Sequence, residues 1–182
     1  LSSIRITDVL LSISFVLFFF WIFFKYTVNV PINDDYDVLD KFNKMVSTDS
    51  FFEKIKLLFA QHNEHRIVYD RIWFLISYKI NNQVNFNLLS FVGNLSLFGI
   101  FLIYVKRTSN YNSNYFVFFP IALLLFNLTF YENVTFSMAA LSNFTVVLFS
   151  LLSLNFLATK ELTVKRFILA IVFCLFAVYT QG

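Results

Sequence analysis

Two short runs hold the residues best suited to chemistry. Asn33-Asp34-Asp35-Tyr36-Asp37 places adjacent carboxylates just after Pro31, and Gln61-His62-Asn63-Glu64-His65-Arg66 gathers both histidines of the chain beside an acid and a guanidinium. An ionised Asp can take a proton from a hydroxyl. Arg grips phosphate through a fixed fork of donors, and imidazole and carboxylate together suit several divalent ions. On a helix, His62 and His65 would point roughly the same way. Asp34, His62 and His65 are therefore the residues from which a divalent metal site could be drawn, although an interfacial histidine pair bonding neighbouring loops would read the same. The spacing matches neither the H-E-x-x-H zinc-protease pattern nor its reverse, which argues against peptidase chemistry. Arg66 and Asp70, four apart, read as a surface ion pair of little energetic weight.

The elements that must position these runs are membrane helices. The 182 residues are 58% hydrophobic and 21% aromatic, with a mean hydropathy of +0.69, far above the roughly 45–50% apolar content of a soluble domain. Only 3 Gly and 2 Pro interrupt them. Long apolar runs cross hydrocarbon as helices because lipid offers the backbone no partners, and the strand alternation of a barrel is missing. The fold class expected is an all-α integral membrane protein. A net charge of +3 is too small to argue for nucleic acid. The single Cys174 lies within an apolar segment and excludes an intrachain disulfide.

About five spans are predicted, over 6–26, 87–105, 115–130, 134–158 and 167–179, the first close to the ~20 residues needed to cross. Asp8 and Lys25 sit near the ends of the first, where interfacial water would reach them. The segment 27–85 reads as an extracytoplasmic loop with one or two interfacial amphipathic helices. Asp34 and Asp35 suit an exposed Asx-type turn. Ser50 and Glu53 form a capping box ahead of an apolar face of Phe51, Phe52, Ile55, Leu58 and Phe59. A second helix would bear an apolar stripe of Val68, Ile72, Leu75 and Ile76 opposite Arg66, Asp70 and Ser77.

Basic residues cluster at Lys106-Arg107 and between Lys160 and Arg166, while Tyr131-Glu132-Asn133 carries none. The positive-inside rule then makes the N-terminus cytoplasmic. Asp34, Asp35, His62, Glu64, His65, Arg66, Glu132 and Gln181 all fall on the extracytoplasmic side. Glycosylation sequons at Asn94, Asn127, Asn133 and Asn143 receive no role, because three lie within predicted spans. The first apolar segment lacks a small-residue cleavage pattern and reads as an anchor rather than a signal peptide. The sequence starts without Met and stops after an apolar run, so it reads as the N-terminal fragment of a longer protein.

This layout resembles the integral-membrane glycosyltransferases of the GT-C superfamily, in which a first span leads into a large extracytoplasmic loop with an acidic motif near its start. Asn33-Asp34-Asp35-Tyr36 falls at that place. The run 61–66, with Tyr131-Glu132-Asn133 and Thr180-Gln181-Gly182 in later outer turns, is similar to a group of functionally uncharacterised bacterial membrane proteins associated with the superfamily. The resemblance implies transfer of a sugar from a polyprenyl-phosphate donor to a glycan, lipid or protein acceptor, at the outer face of the bacterial cytoplasmic membrane. It implies Asp34 as catalytic base or metal-facing acid, with Asp35 as its alternate. His62, Glu64, His65, Arg66, Glu132 and Gln181 would contact substrate. The alternatives are a non-catalytic scaffold or a polymer-export or transport subunit. A transporter would place ionisable groups at mid-membrane depth, where this sequence has almost none.

Overall fold

The computed structural model describes residues 3–108, 116–159 and 161–181. The expected third-span start at Tyr115, the basic-turn residue Lys160, and Gly182 lie outside them. The protein is an all-α membrane protein: five helical runs are long and apolar enough to cross a bilayer, at Arg5–Tyr26, Phe86–Thr108, Phe118–Thr135, Ser137–Leu157 and Val164–Gln181. They correspond to the five spans expected, with ends shifted by a few residues.

Helix α1, Ser3–Tyr26, is apolar all round, as a lipid-embedded helix can be. Three helices then fill the loop, where one or two were expected. Helix α2, Asp35–Ser47, buries Asp35, Val38, Phe42 and Met45 on one face, the three-and-four spacing that makes an amphipathic stripe. Helix α3, Phe51–Leu58, starts at Ser50, whose hydroxyl accepts the Glu53 N–H at 3.4 Å. Only that half of the capping box forms, because the Ser50 N–H donates to Thr48 Oγ1 at 3.3 Å.

Helix α4, Val68–Asn81, follows the expected stripe only in part. It buries Val68, Asp70, Arg71, Phe74 and Ser77, while Ile72 is exposed. The physical reason lies in partners outside the helix: Arg71 Nη1 donates to Leu58 O and Ala60 O, and Ser77 Oγ accepts the Asn85 N–H at 2.8 Å. The Arg66–Asp70 ion pair does not form, since Arg66 is exposed and Asp70 is fully buried with neither carboxylate oxygen bonded.

Helix α5, Phe86–Thr108, is the central span. Its Phe86 N–H donates to Asn29 Oδ1 at 2.7 Å, which ties the end of α1 to the start of α5. The third span is broken into α6, Phe118–Leu125, a 3-10 turn at Leu128–Phe130, and α7, Tyr131–Thr135. Tyr131-Glu132-Asn133 is thus helical, and the chain reverses at Phe136 instead. Helix α8, Ser137–Ala139, passes through a π-helical turn at Ala140–Phe144 into α9, Thr145–Leu157, and α10, Val164–Gln181, closes the bundle. Gly93 of α5 lies against the π turn, where a Cβ would fall 2.3 Å from the Ala140 carbonyl carbon. Only glycine lets the two backbones approach so closely.

Two carboxylates fix the breaks between spans. Asp8 is buried rather than water-exposed as expected, and it accepts the N–H groups of Val117, Phe118 and Phe119 at 2.9, 2.9 and 2.7 Å. These are donors that the first turn of α6 leaves without helical partners. Asp35 does the same at the other end of the bundle, accepting the Ser137 hydroxyl at 2.6 Å and the Met138 N–H at 3.2 Å. The carbonyls freed at the end of α7 are met from α5: Asn94 Nδ2 donates to Val134 O at 2.7 Å and Ser90 Oγ to Thr135 O at 3.1 Å.

Candidate functional site

Residues 61–66 form a tight turn, not the helix on which the histidine spacing was weighed. The His62 N–H donates to His65 O at 2.7 Å, and the His65 N–H returns to His62 O at 2.8 Å. Asn63, inside the turn, has φ 49°, a left-handed conformation that Asn tolerates better than most residues. The two histidines therefore part company. His62 turns inward with 2% of its surface exposed, while Glu64, His65 and Arg66 stay outside.

Two cations anchor this turn from below. Lys41 Nζ donates to Gln61 O. Arg71 Nη1 donates to Leu58 O at 2.8 Å and to Ala60 O. Cations there meet the carbonyls and the negative dipole end of α3. Arg71 is fully buried, and sequence reasoning missed it, because Arg beside Asp in an interfacial helix reads as surface. Its partners, the carbonyls of Leu58 and Ala60, lie 13 and 11 residues back in the chain and leave no mark on the helix pattern.

The structure brings the acidic run and the 61–66 turn together. Burial, Lys41 and Arg71 push the His62 imidazole below its usual 6.5, and the carboxylates of Asp34 and Asp37 partly oppose them. Asp34 and His62 thus lie within electrostatic reach of each other. The two neighbouring acids have different positions. Asp34 is exposed, and its side chain makes no cap hydrogen bond to α2. Asp35 is enclosed, and besides Ser137 and Met138 it accepts the Ile32 N–H at 3.0 Å. Burial raises the Asp35 carboxyl above its ordinary 3.8 against these hydrogen bonds, and Asp34 adds to the rise. Both were expected on an exposed turn; Asp35 is instead an internal helix cap.

A cleft of about 290 Å³ opens between the turn and the end of α10, lined by Gln61, Glu64, Arg66, Val178 and Tyr179. The Tyr179 ring meets Phe59 edge-on at 5.7 Å. Gln181 lies beside this region in a chain of amides: its Nε2 donates to Asn143 Oδ1 at 2.9 Å, and Asn143 Nδ2 donates to Asn133 Oδ1 at 3.1 Å. Glu132 is not among the cleft residues; its Oε1 accepts the hydroxyl of Tyr131 at 3.2 Å. Among the described residues no group of three or more His, Cys, Asp or Glu could hold a metal ion. Of Asp34, His62 and His65, the first and last are exposed and His62 is buried.

Asp70 supplies a pH-dependent prediction. Its buried carboxyl lies well above the ordinary 3.8, chiefly through desolvation, with Arg71 opposing and Asp35 adding. A raised carboxyl binds more protons in the folded than in the unfolded state, so stability falls as pH rises from about 4 toward the folded value. Asp70→Asn removes that loss. Thermal unfolding across pH should show the parent losing ground to Asp70→Asn as pH rises through this window; curves that stay parallel would contradict it.

Comparison of the chain with models of protein families, with curated proteins and with solved structures returned no match.

Proposed function

We propose that the protein is a membrane glycosyltransferase that takes a sugar from a polyprenyl-phosphate donor and passes it to an extracytoplasmic acceptor. The observation that carries this reading is the cleft in which the exposed Arg66 stands beside Val178 and Tyr179 of a membrane span. A lipid-linked phosphate needs that combination, a guanidinium for the head and an apolar wall for the start of the tail. In this reading Arg66 and the exposed His65 neutralise the departing lipid phosphate, and Asp34 takes the proton from the acceptor hydroxyl. Glu64 and Gln61 border the sugar, and the buried His62 holds the turn through its backbone. Electrostatic stabilisation of a developing phosphate charge is strong when the donors are preorganised, and the bracing of the turn by Lys41 and Arg71 supplies that rigidity. The active face would be periplasmic, in a bacterial cytoplasmic membrane.

The test is turnover of a panel of polyprenyl-phosphate sugars by the protein in nanodiscs, with and without added divalent metal. Transfer or hydrolysis of one donor is the expected result. A well-folded sample that neither turns over nor binds any donor would overturn the reading in favour of a scaffold or polymer-export subunit.

A further inference from the structure

A second cavity lies away from the 61–66 cleft and shares no lining residue with it. It is a groove of about 380 Å³ between α2, α3 and α4, within the range of about 300–1,000 Å³ typical of small-molecule sites. Met45, Val46, Phe51, Ile55, Leu58, Leu75 and Tyr78 make its wall, with Lys54 and Lys79 as its only charged lining residues. Neither ammonium group has a hydrogen bond or ion pair among the described residues. The helix that forms one side is itself uncovered: no residue of α3 is buried, and Phe51 and Phe52 are 69% and 83% exposed.

We infer that this groove binds one anionic glycerophospholipid, with an acyl chain along the apolar wall and its phosphate between Lys54 and Lys79. The charge of the rim selects the headgroup, since each Lys near an anionic lipid surface favours association about fivefold. The occupant is a bilayer lipid rather than the sugar donor, because the groove and the Arg66 cleft are lined by separate residues and one phosphate cannot occupy both. The site also reaches the turn mechanically. Leu58 lines the groove and its carbonyl accepts Arg71, so a lipid seated on α3 steadies the carbonyls from which the 61–66 turn departs.

The experiment is lipid retention, which does not depend on sugar transfer. The protein is reconstituted with phosphatidylcholine alone or with added phosphatidylglycerol, and lipid carried through detergent exchange is measured by native mass spectrometry. The parent should retain one phosphatidylglycerol in preference to phosphatidylcholine. The Lys54→Gln/Lys79→Gln double variant changes two exposed side chains and should fold normally; its apparent affinity should fall about 25-fold, two fivefold factors combined. Lys56→Gln, on the same helix but outside the groove, serves as control and should match the parent. An equal loss in Lys56→Gln would reduce the effect to general surface charge and overturn the site, as would equal retention of the two lipids by the parent.

Discussion

Asp8→Asn is expected to cost about 3 kcal/mol or more of stability, because hydrogen bonds to charged groups contribute about 1.5–3 kcal/mol each and a stranded buried donor costs about 1–3. The wild-type carboxylate receives three N–H groups, from Val117, Phe118 and Phe119, all within 2.9 Å. Asparagine keeps one acceptor oxygen and replaces the other with an NH2 that points donor against donor. Solvent has little access to take over, since Asp8 is 2% exposed. At this chain length a loss of 3 kcal/mol corresponds to a fall in Tm of about 6–12 °C. Thermal unfolding in nanodiscs measures it, and a Tm within about 2 °C of the parent would mean that the cap contributes little.

Asp34→Asn should have the opposite profile. If Asp34 is the acceptor's base, its amide has no proton-accepting carboxylate, and turnover of the donor should fall by about 10²–10⁴-fold, the usual contribution of a general base. Stability should be unchanged, because the side chain is exposed and makes no cap bond. Asp35→Asn separates the neighbours: its carboxylate is committed to Ile32, Ser137 and Met138, so this variant should lower Tm. Wild-type turnover in a folded Asp34→Asn sample would remove Asp34 from the chemistry.

The spans were legible because lipid makes a one-dimensional demand, a long enough apolar run, and the five runs meet it. The loop was harder. The start of α2 carries Asp35 and Asp37 and looks like a turn, yet Asp35 joins Val38, Phe42 and Met45 on the buried face once Ser137 and Met138 supply donors from about a hundred residues away. Such a partner leaves no local trace. The orientation of α4 follows from partners outside it, the carbonyls of Leu58 and Ala60 and the N–H of Asn85, which the stripe itself does not record. The 61–66 run was found from residue types alone, but the three-residue histidine spacing fits a helix as well as a turn. The backbone exchange between His62 and His65, with Asn63 at positive φ, decides between them.

The Asp8 cap also bears on how the chain is made. The carboxylate belongs to the first span, and its first donor, the Val117 N–H, lies 109 residues further along. At synthesis rates of about 5–20 residues per second, about 5–22 s separate the two. Throughout that interval the Asp8 carboxylate is without its eventual partners, and its place in the second turn of α1 leaves interfacial water to solvate it. The cap can therefore close only after the third span has been made, so the first and third spans are fastened to each other late.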